Sequence, residues 1–197
     1  MVNYNNMVIM SGIMRGKGEY SHTIHGEDFY KNILLIERNS GTIDEIPLVI
    51  SERLACRESE NFAIVSGEYH SRNVEEGERR RLQLYVMVKD MEYPDEIPHF
   101  CQNQAHLRGY ICKKPTYRTT PKGKRITDIL LAVNGPYGKS VYIPCIAWGR
   151  NAEWASKLNI GTELEVYGRI QSRPYTKGTE TRIAYELSIS SIEKMEE

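Results

Sequence analysis

Cysteine is scarce in this chain, and long apolar runs are missing. Cys56, Cys101, Cys112 and Cys145 are the four cysteines of 197 residues, and no two form a C-x-x-C pair. Free thiols in a reducing cytoplasm are the simplest assignment. No apolar stretch approaches the ~18 residues that a membrane span needs. The opening MVNYNNMVIM has no basic start and no sustained apolar core, so it does not read as a signal peptide. A Gly-rich phosphate loop, a Ser/His/Asp or Cys/His arrangement in a recognisable setting and a paired-carboxylate motif are all lacking. The expectation is a protein that is not an enzyme and holds no cofactor. His99, Cys101, His106 and Cys112 share a short window, but zinc modules bring their ligands in close pairs on tight turns, and this spacing matches none of them. No metal site is expected. His22 and His25 read as exposed loop residues.

Net charge is absent over the whole chain but not over its halves. The totals are 26 basic and 26 acidic side chains. Residues 1–100 carry 11 Lys+Arg against 17 Asp+Glu, and residues 101–197 carry 15 against 9. A split of −6 and +6 points to two units with different partners. Between Leu107 and Arg150 nine basic residues face one acid, Asp128. Such a stretch is either a basic binding surface or a solvated charged face.

The segment YIPCIAWGRN, Tyr142 to Asn151, is rich in β-branched and aromatic residues and reads as a strand ending at Trp148. Alternation puts Ile143, Cys145 and Ala147 on one apolar face and Tyr142, Pro144, Ile146 and Trp148 on the other. The segment has an echo in EIPLVISERL, Glu45 to Leu54, at a shift of 97 residues. The register holds from Asn6 to Arg53 without a gap. Its 11 identities in 48 positions include Gly12/Gly109, Gly26/Gly123, Gly41/Gly138, Pro47/Pro144 and Arg53/Arg150. Unrelated sequences of ordinary composition match at roughly one position in twenty. GEYHSR, Gly67 to Arg72, likewise matches GRIQSR, Gly168 to Arg173, at a shift of 101. The chain is a tandem duplication.

The second copy reads as strands over Ala105–Cys112, Ile126–Asn134, a run ending at Trp148, Thr162–Gln171 and Arg182–Ile192. A polar loop holds TPKGK, and PYTKGTE forms a hairpin. A short helix over Asn151–Leu158 is expected, capped by Asn151, with Trp154 packed into the core one turn from Leu158. Five strands with a helix between the third and fourth is the order of an OB-fold. The expected fold is all-β with short helices, as two tandem OB-fold five-stranded barrels. Residues 1–90 would form the first, 103–197 the second, and 91–102, with Pro94 and Pro98, the linker.

The second copy resembles the bacterial single-stranded DNA-binding proteins. The resemblance rests on the starting strand with Gly109, TPKG (Thr120 to Gly123), LLAVN (Leu130 to Asn134), YIPCIAWG (Tyr142 to Gly149), NAE (Asn151 to Glu153) and GRIQSRPY (Gly168 to Tyr175). It covers about Asn103 to Ile192, and the first copy follows through the repeat. The resemblance implies an OB-fold that coats single-stranded DNA without sequence preference in replication, recombination and repair, in the cytoplasm with the nucleoid. Members often end in a disordered tail with an acidic tip that recruits other proteins. This chain ends SIEKMEE, which leaves protein partners uncertain. One barrel per chain and four per assembly are usual in the family. Two barrels per chain therefore suggest a homodimer.

Single strands are held by a basic groove and by aromatic plates on which bases stack. The candidate nucleic-acid contacts are Trp148 as a plate and Arg150 beside it. The loops add Tyr117, Arg118, Lys122, Lys124, Arg125, Tyr137 and Lys139, and the strands add Arg108, Tyr110 and Asn134. The last hairpin contributes Arg173, Tyr175 and Lys177. Core packing is the other reading for Trp148. In the first copy Ser51 stands at the position of Trp148, and Glu27 and Asp28 at those of Lys124 and Arg125. Anions there repel phosphate, so the first copy is expected to bind DNA weakly or to build the subunit interface. Its GERRRL run, Gly77 to Leu82, is either a further basic contact or an exposed hairpin. The rival reading is a primosome-type accessory or protein-interaction module that uses its barrels mainly for protein contacts.

Overall fold

A computed structural model describes residues 5–54, 61–76, 79–135 and 138–196. The first copy contains β1 (Asn6–Met14), β2 (Glu19–Ile24), β3 (Glu27–Glu37), β4 (Ile43–Ser51), β5 (Phe62–Glu76) and β6 (Arg79–Glu92). The second contains β7 (Asn103–Ile111), β8 (Thr116–Thr119), β9 (Arg125–Asn134) and β10 (Ser140–Trp148). It continues with α1 (Gly149–Ala155), β11 (Glu163–Lys177) and β12 (Glu180–Lys194). Residues 93–102 carry no regular element.

Each copy closes into a five-stranded barrel with one topology. In the second, β7 pairs with β11, β11 with β12, β12 with β10, β10 with β9, and β9 returns to β7. In the first, the same circuit runs β1–β5–β6–β4–β3 and back to β1. In both, one contact is parallel, β4 with β6 and β10 with β12, while the hairpin neighbours are antiparallel. This is the OB-fold order, twice. Alternation fills each interior: Leu131, Val133, Ile143, Cys145, Leu164 and Val166 are buried in the second barrel. Met10, Leu34, Ile46, Leu48, Val65 and Val86 fill the first. Ile146, placed by alternation on the outward face with Trp148, is buried as well, so that face is open only in part.

The duplicated glycines have physical causes. A Cβ at Gly12 would run into the Leu35 carbonyl, and one at Gly109 into the Ala132 carbonyl, where the strands that close each barrel cross. Gly26 and Gly123 turn their hairpins at φ 80° and 75°, where a side chain is strained.

Two expectations about the helix change. It begins at Gly149 with Trp148 as its N-cap, and no side chain caps it, so Asn151 lies within the helix. Trp154 is 39% exposed and is not core. The helix has seven residues and buries Ala152 and Ala155. At about 100° per residue, Trp154 falls on the side away from Ala152. A hydrogen bond from Thr127 Oγ1 to the Ala152 carbonyl, 2.7 Å, ties the helix to β9. The polar segment ahead of TPKGK is not all loop, since Thr116–Thr119 forms the short strand β8.

By contacts the chain divides into two compact units. One comprises Met1–Met7, Ala105–Ile170 and Tyr185–Glu197; the other comprises Val8–Gln104 and Gln171–Ala184. The tip of the β11–β12 hairpin thus groups with the first barrel. Within that second unit, fully buried Asp44 accepts hydrogen bonds from Arg38 Nε (2.6 Å), from Arg38 Nη2 and from the Ser172 backbone N–H (2.7 Å). The Glu45 N–H donates in turn to Ser172 Oγ at 3.0 Å. A buried carboxylate satisfied this way is costly to disturb.

Candidate nucleic-acid interface

Strand pairing sets the site. Arg118 on β8 faces Ile126 on β9, and Ile126 faces Trp148 at the end of β10. Residues directly opposite share a face, so Arg118 and Trp148 lie on one side of the ribbon, two strand spacings or about 10 Å apart. The turn between β8 and β9 is held by the Gly123 N–H to the Thr120 carbonyl and the Thr120 N–H to the Lys124 carbonyl, both 2.8 Å. Pro121, Lys122 and Gly123 are its three loop residues, a tight connection that favours glycine at the left-handed position. The turn delivers Lys124 to the tryptophan. The Lys124 ammonium sits 6.0 Å from the centre of the Trp148 ring, within cation–π range.

Trp148 is half-buried, and its indole N–H donates to Ser188 Oγ at 3.0 Å. The polar edge is therefore anchored while the ring stays partly accessible. Lys122 and Arg150 are exposed. Arg125 pairs with Glu153 of α1. Arg118 makes a two-pronged contact with Asp128, at 2.5 and 3.0 Å. That hydrogen bond holds the Arg118 guanidinium above its ordinary range. A phosphate at Arg118 must compete with Asp128.

The other candidates are not gathered here. Tyr117 faces Thr127, whose side chain points inward, so Tyr117 lies on the face opposite Trp148 and is 43% exposed. Arg108 and Tyr110 occupy the outward side of β7. Tyr110 pairs with Ala132, six residues along β9 from the partner of Trp148, or about 20 Å. There Arg108 binds Glu163 at 2.8 Å, which raises the arginine and lowers the carboxylate from their ordinary ranges. Nearby, His106 stacks on Tyr167 with centroids 4.5 Å apart and meets Glu165 at 2.8 Å. This is a cross-strand ladder of charges and rings. Asn134 and Lys139 mark the far end of the β9–β10 hairpin, where Asn134 Oδ1 accepts from Ser140 Oγ at 3.0 Å. Tyr137 lies outside the described residues. Arg173, exposed, and Tyr175, half-buried, belong with Lys177 to β11 in the segment that groups with the first barrel. Sequence reasoning missed Ser188, Glu153 and Asp128, the partners that orient Trp148, Arg125 and Arg118. Strand register brings Asp128 and Ser188 within reach, and the seat of α1 beside β9 brings Glu153.

In the first barrel the matching corner is different. The Ser51 hydroxyl donates to Glu27, which also meets Arg53 at 3.1 Å. The Asp28 N–H donates to Glu52 at 2.9 Å. A small polar cluster replaces the plate and its cations. Of the GERRRL run, Gly77 and Glu78 lie outside the described residues.

The sequence model described as "Single-strand binding protein family" matches residues 102–195. The single-stranded DNA-binding protein 2 of Streptococcus agalactiae is 32% identical over 101 residues, which span 48% of this chain and 77% of that protein. The chain belongs to the single-strand binding protein family. Other relatives match over a similar length of this chain. The single-stranded DNA-binding proteins of Thermus thermophilus and Halalkalibacterium halodurans are each 33% identical over 41% of this chain, covering 32% and 52% of their own lengths. The chain thus spans about a third to a half of these curated relatives. Among solved structures, the wild-type single-stranded DNA binding protein from Thermus aquaticus matches 98% of this chain and 93% of its own, with TM-score 0.75 and 22% identity. That likeness is one of fold, and it extends over both barrels. No helix among the described residues is long and apolar enough to cross a membrane.

Proposed function

We propose that this member of the single-strand binding protein family binds single-stranded DNA without sequence preference and is not an enzyme. The observation that carries the reading is the cation held over a partly open plate: Lys124 on Trp148, with Arg118 in the same cross-strand row. A base stacking on Trp148 gains about 1–3 kcal/mol, and every base has a face to stack. Lys122, Lys124, Arg125 and Arg150 then neutralise flanking phosphates, with Arg173, Tyr175 and Lys177 as the contribution of the last hairpin. The one helix among the described residues has seven residues and does not suit a major groove, which argues for single strands over duplex. A protein of this kind coats strands exposed in replication, recombination and repair, in the compartment that holds the chromosome. We propose a homodimer as its assembly.

The test is anisotropy titration of labelled oligo-dT against a duplex of equal length. Tight binding to the single strand and far weaker binding to the duplex is expected. Equal affinities would overturn the reading.

A further inference from the structure

Asp44 is fully buried in the first copy, and Arg38 pairs with it. At the 97-residue shift, Arg38, Asp44 and Glu45 correspond to Gly135, Val141 and Tyr142. The second barrel closes on the same strand circuit with neither the guanidinium nor the carboxylate at those positions. Taking two opposite charges out of water is expensive, and apolar residues of similar volume are often as stable. The pair in the first copy therefore serves something other than closure of the barrel.

What the pair holds is one residue of β11. The Ser172 N–H donates to Asp44 Oδ1 at 2.7 Å, and the Ser172 hydroxyl donates to the same oxygen at 3.3 Å. Its carbonyl accepts from Arg38 Nη2 at 3.4 Å, and its Oγ accepts from the Glu45 N–H at 3.0 Å. Donor, acceptor and side chain of a single residue are all bound to the segment from Arg38 to Glu45. Arg38 Nε donates to the other oxygen, Asp44 Oδ2, at 2.6 Å, which keeps the first turned toward the serine. At the shift of 101, Ser172 corresponds to Ser71. A serine stands in both copies, whereas the charged pair that holds it stands in one.

Ser172 is followed at once by residues proposed above to meet DNA. Successive side chains of a strand leave on opposite faces, so Arg173 and Tyr175 point to the side away from Ser172. Arg173 is exposed and Tyr175 half-buried. Fixing Ser172 therefore fixes which way the cation and the ring face. The hairpin tip that carries them, Gln171–Ala184, belongs to the compact unit of the first barrel. We infer that Asp44, held by Arg38, is a positioning residue for single-strand binding. It touches no nucleotide and acts by setting the hairpin that presents Arg173 and Tyr175. This role rests on the single-strand reading proposed above, and it gives the first barrel a part that needs no contact of its own with the strand.

The experiment uses the full chain with Arg38→Met and Asp44→Val together, which removes both charges of the pair and leaves the net charge unchanged. No unpaired buried charge remains, so the thermal unfolding midpoint should stay within a few degrees of wild type. Ordering one long side chain on binding costs a factor of about two to ten in affinity, so the loss on oligo-dT should be roughly fivefold. The discriminating measurement repeats the two substitutions in a chain that already carries Arg173→Gln and Tyr175→Ala. There they should cost nothing further, since the contacts that Asp44 sets are gone. Hydrogen exchange at the Ser172 amide should speed up, while tryptophan quenching at saturation should match wild type. Wild-type affinity in the folded pair variant would overturn the inference. An equal loss in both backgrounds would overturn it too, because that marks a purely structural role. It falls as well if Arg173→Gln with Tyr175→Ala binds oligo-dT like wild type, since the hairpin then meets no strand. Failure of the wild-type chain to bind oligo-dT would instead overturn the single-strand reading. Should the pair variant unfold, Ser172→Ala removes the hydroxyl alone and should lower affinity by about twofold, only while Arg173 and Tyr175 are present. No loss in that variant overturns the inference.

Discussion

Trp148 has two jobs in this structure, and two substitutions separate them. Its ring meets Lys124 and stays partly open, while its N–H is tied to Ser188, a buried residue. Trp148→Phe keeps a flat apolar plate and removes the hydrogen bond. Stability should fall by about 1–2 kcal/mol, since Ser188 loses a partner. Affinity for oligo-dT should change by less than about fivefold, because a phenyl ring still stacks. Trp148→Ala removes the plate as well. Loss of one stacked base at about 1–3 kcal/mol lowers affinity by roughly fivefold to 150-fold. Deleting a large buried aromatic typically costs about 3–5 kcal/mol of stability. The half-exposed ring should cost about half of that, plus the lost hydrogen bond. Binding is read by anisotropy of a labelled strand, and stability by urea unfolding. Tryptophan emission adds a third measure: in Trp148→Phe only Trp154 remains, on the exposed side of α1, so oligo-dT should no longer quench strongly. The reasoning is refuted if the folded alanine variant binds as tightly as wild type, or if quenching persists without Trp148.

Other outcomes follow from single contacts. Replacing Lys124 and Arg125 by alanine should flatten the salt dependence of binding by about 1–1.4 units, the charge of up to two phosphates, measured by titration across a salt series. Asp44→Ala leaves Arg38 and the Ser172 N–H facing an uncompensated site, so stability should fall by about 3 kcal/mol in urea, with faster amide exchange at Ser172. Burial pushes the Cys145 thiol well above its ordinary range. The folded state then keeps a proton that the unfolded chain releases, so stability is unaffected below about pH 8.5 and falls by about 1.4 kcal/mol per unit above it. Cys145→Ala should lack that extra slope in alkaline unfolding curves. Light scattering should give twice the mass of the chain, as a homodimer requires; a monomer with full DNA affinity would remove the assembly proposed.

Much of this protein is written in periodicities that need no third dimension. The 97-residue repeat, the alternation of Ile143, Cys145 and Ala147, and the turn glycines Gly26 and Gly123 follow from local backbone demands, which act between residues close in the chain. Two barrels with an OB-fold strand order were legible for that reason. What sequence spacing does not encode is which strand lies beside which, and with what register. Register puts Arg118 on the face of Trp148 and turns Tyr117 away, although the two are adjacent in sequence. Length of α1 decides Trp154, because a seven-residue helix buries one narrow side and two alanines fill it. The acidic balance of the first copy was real, yet it hid a basic cavity: Arg15, Lys31 and Arg72 are up to 57 residues apart and meet only because β1, β3 and β5 close a barrel. Net charge is a sum over the chain, whereas a ligand meets only the charges that the folded surface brings within reach.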